Sequence, residues 1–199
     1  MTHLREPLNK IVGLLVTLLA ILSAGCGGSL YKVKPALELP PMTGDVKSAS
    51  AGGVTVRAAP LLSDEESQEL FEANLPLSGV LPLRIALDYE SGVPVELKKA
   101  RFKLRDGEGR EWKLLSTKQA ISRILKANGV FLYNPHSRKQ FEKEFSSYAL
   151  DTKTALTPSD RTRQGFLFFE APGKEAVQSP TGLKLLVERL PEPVELALN

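Results

Sequence analysis

The chain contains one cysteine, two histidines, one tryptophan and two methionines in 199 residues. With Cys26 alone no intramolecular disulfide forms, so stability must come from a hydrophobic core. His3 lies near the N-terminus, which leaves His136 as the sole imidazole beyond residue 25. That excludes a Cys-His metal cluster, a Cys-His nucleophilic pair and a zinc site built from several imidazoles. The sequence also lacks an EF-hand-like spacing of Asp and Asn before Glu, a Gly-x-Ser-x-Gly elbow, a phosphate loop and a dinucleotide fingerprint. No metal, cofactor or enzymatic activity is therefore expected. An excess of one charge is missing as well. Of 26 basic and 23 acidic residues, Arg5, Lys10 and Glu6 precede residue 26, which leaves 24 against 22. Near neutrality argues against nucleic acid as a partner, since a phosphate backbone demands a strong basic excess.

A long apolar run is absent too. Ile11 to Leu22 gives twelve uncharged residues, short of the roughly 18 to 20 needed to cross a bilayer as a helix. It follows MTHLREPLNK, with Arg5 and Lys10 against Glu6. A charged n-region before a short h-region reads as a secretion signal. Directly after it stands Leu22-Ser23-Ala24-Gly25-Cys26, small residues leading into the only cysteine. This stretch resembles the lipobox of bacterial lipoprotein signal peptides, with Ser23 where that family most often has leucine. The resemblance covers residues 1–26. It implies that the Cys26 thiol receives diacylglycerol, that cleavage removes residues 1–25, and that the new amine takes a further acyl chain such as palmitate. Each buried CH₂ contributes about 0.8 kcal/mol, so two or more chains hold a protein on a membrane. Cys26 is then a lipid attachment site and membrane lipid the first partner. Gly27 stands where the family's inner-membrane retention signal has Asp, which implies a cell-envelope protein on the outer membrane where the cell has two.

Residues 26–53 are rich in Gly, Pro, Ser and Ala without a sustained period, and read as a tether. A flexible coil of that length reaches on the order of 30 Å. Tyr31, Val33, Leu37 and Leu39 are candidates for a short docking strand. Residues 54–190 have the size of one domain, and 191–199 form a C-terminal tail. VTVRA (54–58) begins the strands. SDEESQELF (63–71) opens with a Ser-x-x-Glu capping box, and its acidic run Asp64, Glu65, Glu66 suits the positive end of a helix rather than a catalytic site. GVLPLRIALDYE (79–90) alternates Leu83, Ile85, Leu87 and Tyr89 with Arg84, Ala86, Asp88 and Glu90, the pattern of a half-buried strand. Residues 95–115 read as a hairpin with Ala100, Phe102 and Leu104 inward, a DGEG turn at 106–109, and Trp112 and Leu114 on the return.

The period then changes. STKQAISRILKANG (116–129) carries a Ser116–Gln119 capping box and an apolar face of Ala120, Ile121, Ile124 and Leu125. SRKQFEKEFSSYAL (137–150) repeats the design from Ser137 and Gln140, with Phe141, Phe145 and Tyr148 on one stripe. RQGFLFFEAP (163–172) and GLKLLVERL (182–190) restore β character. The expected fold is mainly β, an antiparallel immunoglobulin-like sandwich with a two-helix insertion at 116–150. Phe102-x-Leu104-x-Asp106-x-x-Gly109 leading to Trp112, and Gly165-x-Leu167-x-Phe169-x-x-Pro172, resemble the immunoglobulin-like domains of exported bacterial lipoproteins. These are core and turn signatures, and they imply a fold rather than an activity.

Two surfaces could carry function. Lys99, Arg101, Lys103 and Arg105 alternate with apolar residues, so a strand here shows one basic face. It suits an anionic headgroup or an acidic envelope protein, or serves as a solvated wall balanced by Asp88, Glu90 and Glu111 across the sheet. The segment 127–138 places Phe131, Leu132, Tyr133 and His136 between the helices, as a contact loop or as a plug for the core. Asp160, Arg161 and Arg163 read as turn residues. The leading expectation is a non-enzymatic, membrane-anchored envelope module for structure or protein interaction. Alternatives are an envelope polysaccharide hydrolase using paired carboxylates, and a small-ligand or lipid carrier with an apolar cavity.

Overall fold

A computed structural model describes residues 41–42, 45–129 and 135–199, with side chains of the last segment from residue 138. The expected signal, Cys26, the docking candidates Tyr31 to Leu39, Phe131 and Tyr133 lie outside the described residues. Those described form eight strands and three α-helices. The strands are β1 (Lys47–Ala51), β2 (Val54–Pro60), β3 (Val80–Tyr89), β4 (Arg101–Arg105), β5 (Glu111–Leu115), β6 (Thr162–Glu170), β7 (Lys184–Glu188) and β8 (Val194–Ala197). The helices are α1 (Asp64–Phe71), α2 (Thr117–Ala127) and α3 (Pro135–Ser147).

Every ladder is antiparallel, and the order is β1-β2-β3-β6-β5-β4-β7-β8. The fold is mainly β, but the expected division into two sheets is not what this ladder shows. All eight strands are continuous through β5, which changes partner along its length. Glu111 and Trp112 pair with β4, whereas Lys113, Leu114 and Leu115 pair with β6. The change re-aims the side chains: Trp112 and Leu115 are buried, but Leu114 is 40% exposed. At the two ends of the ladder β1 lies against β8, so the sheet is nearly closed into a barrel. A Cβ at Gly52 would come within 2.8 Å of the Glu192 backbone nitrogen, which marks how tightly the edges meet.

Both edge strands fall outside the expected 54–190 domain. β1 occupies the end of the presumed tether, and Gly52 and Gly53, at φ 55° and 75°, make the two-residue turn into β2. Two successive positive φ values fit the right-handed twist of a hairpin and favour glycine. β8 lies within the presumed tail, where Val194, Leu196 and Leu198 are buried.

Alternate residues of the strands fill the inside. Val54, Val56 and Ala58 of β2 meet Leu81, Leu83, Ile85 and Leu87 of β3, with Phe102, Leu104, Trp112, Leu167, Phe169, Leu185, Val187 and Leu196 from the others. The opposite face of β3 and β6 is also buried, because the helices cover it. Phe71 of α1, Ile121 and Ile124 of α2, and Phe141 and Phe145 of α3 pack on Val80, Phe166 and Phe168. Ser63 caps α1 by accepting the Glu66 N–H at 3.3 Å. Ser116 and Gln119 form the full reciprocal box on α2. α3 starts at Pro135, two residues before the expected Ser137, and proline suits a first helical turn because its missing N–H is an orphan there. After α3 the chain docks on β6: Phe166 N–H donates to Tyr148 O at 2.7 Å, and Leu150 N–H to Phe166 O at 3.0 Å. Gly165 permits this approach, since a Cβ there would sit 2.6 Å from the Leu150 nitrogen.

Candidate functional site

The predicted basic face is divided between two elements. Lys99 ends a 3₁₀ turn, Leu97–Lys99, while Arg101, Lys103 and Arg105 share the outer face of β4. Their neighbours are acidic. Lys99 Nζ lies 2.7 Å from Glu96, Lys103 Nζ donates to Glu188 at 2.8 Å, and Arg105 is 3.8 Å from Glu111. Arg101 stands opposite Glu188 in the β4–β7 register. The Lys99 hydrogen bond holds the Glu96 carboxyl below its ordinary range, and the Lys103 hydrogen bond does the same for Glu188. Of the balancing acids expected, only Glu111 belongs to this face. Asp88 instead pairs with Arg57 at 2.8 Å, and Glu90 accepts from Thr55. The difference arises because β4 neighbours β7 and β5 but not β3. A shallow depression of about 350 Å³ crosses the face, lined by Lys103, Arg105, Lys184 and Glu195 among others. Such a patchwork of exposed pairs contributes little to stability, and leaves a surface of mixed charge with cations in excess.

The turn after β4 is built around Asp106. Its Oδ1 accepts the backbone N–H groups of Glu108 and Arg110 at 3.1 and 3.0 Å; its Oδ2 accepts Arg110 Nε at 2.9 Å and the Trp112 indole at 3.3 Å. Burial works to raise its pKa, but the Arg110 backbone N–H, the indole and the Arg110 guanidinium together hold it below the ordinary carboxylate range. Four donors on one carboxylate identify a structural hub. The pairing of Asp160 with Arg163, and the donation by Arg161 Nε to Tyr89 O at 3.1 Å, likewise stitch a turn to the end of β3. Asp64, Glu65 and Glu66 occupy the first turn of α1, as expected of a helix start.

Arg84 is the residue that reading the sequence missed. The alternation of β3 places it on the polar side, yet it is only 8% exposed. It lies between Ala59 of β2 and Phe166 of β6 in the ladders. Its Nε is sealed from solvent without a hydrogen-bond partner, and among the described residues no ion pair reaches its guanidinium. Burial lowers its pKa from the ordinary arginine value. The side chain lines a cavity of about 140 Å³ walled by Met42, Ala59, Leu61, Leu70 and Phe166, with Glu66 and Glu69 of α1 completing the lining. A sequence signal did exist: GFLFF is apolar on both faces, so the strand beside it faces a second layer.

His136 lies in the first turn of α3, but its side chain is outside the described part, as are Phe131, Tyr133 and Cys26. Among the described residues no three His, Cys, Asp or Glu side chains gather as a metal site. Among the same residues no helix is long and apolar enough to cross a membrane. Neither a protein family, nor a curated protein, nor a solved structure matches the chain.

Proposed function

We propose that this protein is a lipid-anchored component of the bacterial cell envelope that works as a non-enzymatic interaction module. The observation that carries the reading is the placement of Cys26. It follows twelve uncharged residues and the small Ser23-Ala24-Gly25 segment. Acylated there, the chain is held at a membrane surface, facing the periplasm or the outside where two membranes exist. The immunoglobulin-like resemblance of the Phe102 to Trp112 hairpin belongs to this reading as that of a scaffold, whose task is to present its outer faces. The face offered to a partner is that of Lys99, Arg101, Lys103 and Arg105, which suits an acidic envelope protein or anionic headgroups. Engagement of Asp106, Glu96, Glu188 and Asp160 in turn and strand pairing supports a structural rather than catalytic use of the carboxylates.

Two measurements test it. Metabolic labelling with a palmitate analogue, followed by mass spectrometry, should place lipid on Cys26, and Cys26→Ala should move the protein out of the membrane fraction. Unlabelled protein with an uncut N-terminus defeats the anchoring. Crosslinking in the native host should then capture a partner with the wild type that is lost when the four cations are reversed to Glu in a folded, anchored protein. Retention of the same partner shows that the β4 face is only a solvated wall.

A further inference from the structure

Arg84 is a buried cation whose Nε lacks any acceptor, in a cavity whose walls are apolar apart from Glu66 and Glu69 of α1. An uncompensated buried charge is among the costliest arrangements in a fold. A side chain that served packing alone at this position would do better as Met or Leu, since Ala59 and Phe166 flank it in the ladder and Leu61 and Leu70 share the cavity. Its length and charge become useful when something negative enters. From the unpaired cation, the cavity and the apolar part of its walls, we infer that this pocket binds a small organic carboxylate, with the carboxylate on the Arg84 guanidinium and a short apolar body against Leu61, Leu70 and Phe166.

The chemistry of the lining selects the ligand class. One guanidinium fork matches one carboxylate with two parallel N–H···O bonds. A phosphate carries more charge than a single cation neutralises, and Glu66 in the same lining opposes the surplus. An amine finds Arg84 in its way. The volume of about 140 Å³ admits a body of only a few carbons. The site is independent of the β4 face, which lies on other strands of the ladder.

The test uses the full chain in detergent, titrated calorimetrically with pentanoate, pentylamine and inorganic phosphate. Pentanoate should bind one to one with a dissociation constant of about 1 mM or lower, within the reach of so small a ligand, and should raise the unfolding temperature by mass action. Pentylamine and phosphate should bind at least about tenfold more weakly. Arg84→Met should abolish pentanoate binding while raising the melting temperature of the ligand-free protein, because it removes the unpaired charge. Ala59→Leu narrows the cavity with Arg84 in place; it should lose pentanoate while still unfolding cooperatively. The inference is overturned by an absence of pentanoate binding to the wild type, by phosphate or pentylamine binding as tightly, or by undiminished pentanoate binding in either variant.

Discussion

Inside the nearly closed sheet the buried side chains are mostly Leu, Val and Ile, whereas under the helices six aromatic rings, Phe71, Phe141, Phe145, Tyr148, Phe166 and Phe168, make up much of the core. The two regions share β3 and β6 as a common wall. Strands set their side chains at fixed spacing through hydrogen-bonded register, so medium-sized aliphatic groups from facing strands interlock with only a few large fillers such as Phe102, Trp112 and Phe169. A helix laid on a sheet is not held by such a ladder. Large rings span the gap and meet in many orientations: Phe71 is edge-on to Phe166 at 5.3 Å, while Phe145 stacks on Phe168 at 4.9 Å. The difference teaches that register organises one core and ring contact organises the other.

Removing the central ring should therefore do most harm. Phe71 lies 5.2 to 6.0 Å from Phe145, Tyr148, Phe166 and Phe168, and Phe71→Ala should cost about 3–5 kcal/mol in urea unfolding. Gly165→Ala, which presses a methyl on the Leu150 backbone where the helical layer returns to β6, should cost about 1–3 kcal/mol. Ile85→Val trims one methyl inside the sheet and should cost about 0.5–1.5 kcal/mol. If this small change outweighs Phe71→Ala in the same assay, the aromatic layer is not a cohesive core. Ser116→Ala removes one arm of the α2 box, and a loss of about 1 kcal/mol should appear.

A pH series sharpens the comparison from the sheet side, since Asp106 anchors the Trp112 indole at the barrel wall. Its native pKa lies below the unfolded value. Its contribution is thus fully present above the ordinary aspartate pKa of about 4 and is lost as pH falls through the native pKa. The stability gap between wild type and Asp106→Asn should be widest near neutral pH and shrink under acid. A gap that does not change with pH would mean that the turn is held by shape rather than charge.

Much of this was legible from short-range patterns. The alternation of β3, the DGEG turn, the Ser116 box and the apolar stripe of α2 are local, and local rules read them. The two edge strands were harder. KSASA offers small polar residues instead of an apolar alternation, and VELA is four residues between a proline and the end of the chain; both are strands because of what lies beside them. The Gly-Gly turn was the one local clue to β1. Arg84 defeated the reading for another reason: polarity predicts exposure only when the second face of a strand is bare, and GFLFF with SQELF builds a layer above it. The continuity of the ladder through β5 is likewise a long-range property, since no pattern within EWKLL announces a change of partner.

The meeting of β1 with β8 has a consequence for the order of events in making the molecule. Synthesis delivers Lys47–Ala51 well before Val194 to Leu198. Until residues 194–198 have emerged, β7 has an open edge, and Leu183 lacks the Leu198 N–H that its carbonyl accepts at 2.8 Å in the finished fold. The whole span between the first strand and the last must be traversed before the edges can touch, the kind of distant pairing that slows folding.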